Sequence, residues 1–111
     1  MVTSDREAKV DVSPIVVSEI EVDGVRLVAK NPLRYEVVYE DDAEEPLFTL
    51  EGEFDIIEYA FSRDMLIDVL HDSLEIMWRD FVGADPAKVS PRAYQLGVEL
   101  SRRFEDATGA A

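Results

Sequence analysis

The chain has 111 residues, no cysteine, 47% hydrophobic side chains and a formal net charge of −14, from twenty-five Asp and Glu against eleven Lys and Arg. It reads as one foldable domain, able to bury roughly 65% of its unfolded surface, and disulfide, thiolate and cysteine-zinc chemistry are excluded. The charge disfavours direct contact with nucleic acid; it suits a basic protein partner, or serves solvation alone.

The opening MVTSDREAKVDVSP lacks the apolar core of a signal peptide, and no apolar run reaches membrane-spanning length, so a cytoplasmic protein without membrane contact is expected. Residues 1–13 and 105–111 are polar or small and aperiodic, and read as flexible tails around a single α+β domain over 14–104. In PIVVSEIEVDGVRLVAK, Asp23-Gly24 marks a two-residue hairpin turn between alternating segments. Uninterrupted alternation puts Val16, Ile20, Val22, Val25, Leu27 and Ala29 on the core face and Glu21 opposite Arg26. Asn31-Pro32 suggests a turn, after which YEVVYE sets Tyr35, Val37 and Tyr39 on one side. EDDAEEP is a charged loop, and LFTLEGEFDIIEYAF supplies one bulged strand or two, broken near Gly52.

Two helices follow. Ser62 can cap the first, with Phe61 placed to staple against Leu66; Ser90 can cap the second, with Pro91 in its first turn and Val89 within reach of Tyr94. Gly83, Asp85 and Pro86 turn the chain between them. The predicted architecture is an antiparallel meander of three to four strands followed by two helices packed on one face. On the first helix Leu66, Leu70, Leu74, Met77 and Phe81 form the stripe for the sheet, edged by Ile67 and Trp78. On the second, Ala93, Leu96, Gly97, Leu100 and Phe104 line one side, with Ala93 and Gly97 small enough for close approach.

Met65, Val69 and Ile76 form a separate apolar strip that the sheet cannot cover, leaving the second helix or a partner chain to bury it. With the acidic run Glu40, Asp41, Asp42, Glu44 and Glu45, this strip is the candidate contact surface for a basic partner or for self-association. The polar wedge of the same helix holds Asp68, His71, Asp72 and Glu75, whose spacing admits a shared metal ion as the alternative function. Against it, Glu75 and Arg79 make an ordinary helix pair, and no second helix offers matching ligands. One histidine, no cysteine and no serine or glycine-rich motif leave no catalytic constellation, so neither enzyme activity nor a cofactor is expected.

The order of a DG hairpin, a third strand, and a strand running into a helix as DIIEYAFSRDMLIDVLHDSLEIMW resembles the HicB-type antitoxin domain over about residues 15–104. It is similar, too, to short stand-alone bacterial proteins of that kind. In those the helix ends in a tryptophan-containing segment like EIMWRDF, and a second opens as in VSPRAYQLGVEL. The resemblance implies a non-catalytic, often dimeric protein that masks a small basic toxin through an acidic surface and added strand contacts. It carries over no catalytic residue.

Overall fold

The computed structural model describes residues 10–41 and 46–108. Strands β1 (Ile15–Val22), β2 (Val25–Glu40), β3 (Leu47–Gly52) and β4 (Ile57–Ala60) form an antiparallel meander in that spatial order. Helices α1 (Arg63–Phe81) and α2 (Pro91–Arg103) follow, and a short β5 (Phe104–Asp106) returns to the sheet. The expected α+β meander is present, and the ambiguous stretch 47–61 resolves into two strands. A single 3-10 turn, Glu53–Asp55, separates them, with Phe54 and Asp55 both at positive φ.

The hairpin turns at Asp23 and Gly24 with φ of 52° and 81°, both positive as a type I′ turn requires. Glu21 does pair with Arg26 across it, although the Arg26 guanidinium reaches Glu19, at 2.7 Å. Two expectations for this region are corrected. Val16 is 54% exposed, and the buried residues of β1 are Ile15, Val17, Ile20 and Val22. The cause is a bulge: the register runs from Val17↔Leu33 to Glu19↔Val28, so Ala29 to Pro32 of β2 stand opposite Ser18 alone and the alternation of β1 inverts there. Asn31-Pro32, expected as a turn, lies inside this bulge within one long β2. Proline has no N–H to give a ladder, and a bulge does not ask for one.

Because β2 is long, two strands share its second edge. β3 pairs with Tyr35–Glu40, and β5 pairs with Leu27–Ala29. The chain beyond Phe104, expected as a loose tail, therefore begins as a fifth strand. The Arg26 N–H donates to Thr108 Oγ1 at 2.6 Å, and Phe104 is buried with its ring edge-on to Trp78 at 6.1 Å.

Both helices cover one face of the sheet. Leu66, Leu70 and Leu74 of α1 are fully buried against Val17, Leu33, Tyr35 and Leu50, with Ile67, Met77 and Trp78 at the margin. Ser62 caps α1, its hydroxyl accepting from the Met65 N–H at 3.1 Å, and Ser90 caps α2 by accepting from the Ala93 N–H at 3.1 Å. Phe61 and Tyr94, placed by sequence in hydrophobic staples, remain exposed. Ser62→Ala should lower stability by about 1 kcal/mol, read as a shift of the urea midpoint at unchanged slope; no shift would remove the cap from the account of where α1 begins.

Beyond the C-cap Val82 of α1 the chain turns at Gly83, with φ of 74°, and the side chain of Asp85 accepts from the Ala87 N–H at 2.9 Å to carry the turn on. Leu96, Gly97 and Leu100 of α2 are buried. Gly97 lies so close to the Phe81 carbonyl that an added Cβ would overlap it. This contact places α2 at the C-terminal end of α1.

Candidate functional site

α2 does not cover the second apolar strip of α1. Met65 is 50% and Ile76 53% exposed, with half-buried Val69 between them. The strip faces β4, because Ser73 on the same side of α1 donates its hydroxyl to the carboxylate of Glu58 in that strand. Among the described residues β4 pairs only with β3, which leaves its outer edge open there. Beside that edge on the uncovered face of the sheet, Ile57 is 65% and Tyr59 68% exposed, and Phe61 is exposed just beyond.

The uncovered face itself carries two cross-strand rows. Val38, Thr49 and Tyr59 are register partners in one, and Glu36, Glu51 and Ile57 in the next. Glu36 thus stands directly opposite Glu51, an arrangement that costs stability through like-charge repulsion unless a cation intervenes. Among the described residues the one cation contact there is Arg34, whose Nε lies 3.0 Å from Glu36, and both side chains are largely exposed; screening leaves such a pair little strength. Glu51 has no ion-pair partner among the described residues. Val38, more than half exposed, adjoins this carboxylate pair.

Of the expected acidic residues, Glu40 ends β2 on the same side as Glu36 and Val38, and Asp41 follows it, exposed. Asp42, Glu44 and Glu45 lie outside the described residues. The acidic run therefore departs from the edge of the uncovered face. Glu36, Val38, Glu51, Ile57 and Tyr59 were missed in the sequence, although setting Tyr35, Val37 and Tyr39 inward already turned Glu36, Val38 and Glu40 outward.

The metal alternative is not assembled. Among the described residues no three His, Cys, Asp or Glu side chains come together to hold an ion, so Asp68, His71, Asp72 and Glu75 do not form a cluster. Glu75 instead accepts from Arg79 at 2.6 Å, and Arg79 extends to Asp23 in the β1–β2 turn at 2.9 Å. Hydrogen bonds from Arg79 hold the Asp23 carboxyl below its ordinary range. A shallow depression beside them, lined by Val22, Leu27, Trp78 and Asp106, has Arg79 as its cation. That guanidinium is already shared between two carboxylates, which leaves it poorly placed to bind an anion.

No helix among the described residues is long and apolar enough to cross a membrane. No protein-family model, curated protein or solved structure matches the chain.

Proposed function

We propose that this protein is a non-catalytic interaction module of the cytoplasm that presents the uncovered face of its sheet to a basic partner protein, as an antitoxin-like domain masks a small basic toxin. The observation that carries this reading is the Glu36–Glu51 pair, two carboxylates in direct register with exposed Val38 and Ile57 as neighbours. A Lys or Arg side chain laid between them relieves the repulsion with its charged head and covers the apolar neighbours with its stem. Glu40 and the acidic run extend the negative field beyond the face and steer a basic partner towards it. The cysteine-free composition suits a reducing interior.

The test is affinity capture from source cells with the tagged protein, at low and high salt, comparing wild type with E36K/E51K. Both positions are exposed, so the variant should fold with a nearly unchanged urea midpoint: one like-charge pair replaces another, and the exposed Arg34 pair that is lost contributes little. The expected result is a basic protein retained by wild type, released by salt and at least tenfold depleted on the variant. Equal retention by the variant, or capture without any basic protein, would overturn the reading.

A further inference from the structure

We infer that the depression between the last turn of α1 and the β1–β2 hairpin binds a small organic cation, an amine whose apolar body packs on Trp78 and whose ammonium group pairs with Asp106. The site lies on the helix-covered side of the sheet, away from Glu36 and Glu51, so this inference and the proposed function stand or fall separately.

Strand register puts the carboxylate there. β5 pairs with β2 as Ala29↔Phe104 and Leu27↔Asp106, and register partners share a face of the sheet. Phe104, Ala29 and Leu27 are buried in the core, so Asp106 points to the same side, where alternation calls for one more core residue. It is an exposed acid instead. Its Oδ1 accepts from the Thr108 N–H at 2.8 Å, and among the described residues it has no ion-pair partner. Glu105, one residue earlier, takes the opposite face with its register partner Val28.

The depression has a volume of about 670 Å³, within the ~300–1,000 Å³ of small-molecule sites. Val22, Val25 and Leu27 of the hairpin and Val82 after α1 supply an apolar lining, to which Trp78 adds an aromatic ring. Phe104 meets that ring edge-on, at 6.1 Å, so the indole is seated by the core before any ligand arrives. An apolar lining with a few polar groups at its rim is the usual composition of a ligand site.

Charge sets the sign of the occupant. Arg79 is the one cation lining the depression among the described residues. Asp23, at 2.9 Å, and Glu75, at 2.6 Å, neutralise it with one negative charge to spare, and Asp106 adds another. Arg26 is held on the other face by Glu19, at 2.7 Å. The depression therefore repels anions and attracts cations, and a tryptophan face adds to the attraction. A metal ion is a poor occupant, because among the described residues no three acids come together to ligate one. An organic cation uses both parts of the site: its charge meets Asp106, and its hydrocarbon displaces water from the valines and the indole.

Trp78 is the only tryptophan in the chain, so its fluorescence reads this site directly. The full chain is titrated with 2-phenylethylammonium, and with three controls: neutral 2-phenylethanol, anionic phenylacetate, and ethylammonium, which keeps the charge but not the body. The expected result is a saturable blue shift with 2-phenylethylammonium at roughly 0.1–1 mM, a fair affinity for so small a ligand. Each control should bind about tenfold more weakly or not at all. D106N should weaken the amine about fivefold, whereas E105Q, which removes the same charge from the opposite face of the same strand, should leave the titration unchanged. The asparagine keeps an oxygen for the Thr108 N–H, so both variants should show wild-type emission before amine is added. Absence of a saturable shift, equal binding of 2-phenylethanol or ethylammonium, or equal losses in D106N and E105Q would overturn the inference. The last of these would mean that the amine is drawn by the overall acidity of the chain and not by Asp106.

Discussion

Gly97→Ala should destabilise the protein by about 2–3 kcal/mol, the cost of forcing an extra carbon into a packed contact. In an exposed helix interior the same change is stabilising by up to ~1 kcal/mol, because alanine loses less backbone freedom on folding. The sign inverts here because the added Cβ would overlap the Phe81 carbonyl and lie 3.1 Å from the Val82 nitrogen. These are backbone atoms at the closing turn of α1, and they cannot swing aside as a flexible side chain would. α2 must instead move off α1, loosening Leu96 and Leu100 from the core. Urea unfolding of the two proteins reads the difference, with a fall in midpoint of about 1–2 M at an ordinary slope. A rise in midpoint would mean that the two helices do not meet at this glycine, and the exposure of Met65 and Ile76 would lose its explanation.

That docking is also where the sequence was informative but incomplete. Gly97 and Ala93 marked a close helix approach, and the wheel of α1 correctly separated Met65, Val69 and Ile76 from the stripe on the sheet. Helical periodicity gives angles around one axis and says nothing about where along that axis a neighbour sits. Gly97 meets the end of α1, beyond the strip, so the strip stays open. The strands show the same limit. Alternation placed Tyr35 and Val37 in the core and the Asp23-Gly24 turn between its strands, but period two survives only while the ladder is regular. The bulge opposite Ser18 reverses the parity of β1, and nothing local to Ile15–Ser18 announces it.

The candidate surfaces were legible only in part. The acidic run EDDAEEP is conspicuous in the sequence because its charges are adjacent. Glu36 and Glu51 are far apart in the chain and become neighbours only through the pairing of β2 with β3. The same holds for the metal alternative. Asp68, His71 and Glu75 share a helical face by spacing, yet Glu75 is drawn to Arg79, and Arg79 to an aspartate in a distant turn. Spacing along one helix supplies candidates, and cross-element partners decide which of them remain free.

Arg103→Ala should cost about 2 kcal/mol at neutral pH, through the loss of several charge-assisted hydrogen bonds from one guanidinium. Arg103 ends α2 and grips Glu53 with both amino groups, at 2.6 and 2.7 Å, while also donating to the carbonyls of Asn31 at 2.7 Å and Pro32 at 3.1 Å. It thereby ties the end of α2 to the bulge of β2 and to the turn between β3 and β4. Glu53 further accepts from the Arg34 N–H, and its backbone carbonyl accepts from the buried phenol of Tyr35, which burial pushes well above the ordinary tyrosine range. Arg103→Lys should recover only part of the loss, because an ammonium cannot reproduce the fork. The contribution is pH-dependent in a defined direction. Hydrogen bonds from Arg103 hold the Glu53 carboxyl below its ordinary value of 4.5, so between that value and the lower folded one the unfolded chain binds more protons and stability rises with pH. The stabilisation is fully present above about pH 5 and is lost as the pH falls through the folded pKa. Urea melts of wild type and R103A at pH 7 and pH 3 should therefore show a gap that narrows in acid. A gap of equal size at both would mean that Arg103 acts through the Asn31 and Pro32 carbonyls alone, and that the ion pair with Glu53 adds nothing to the fold.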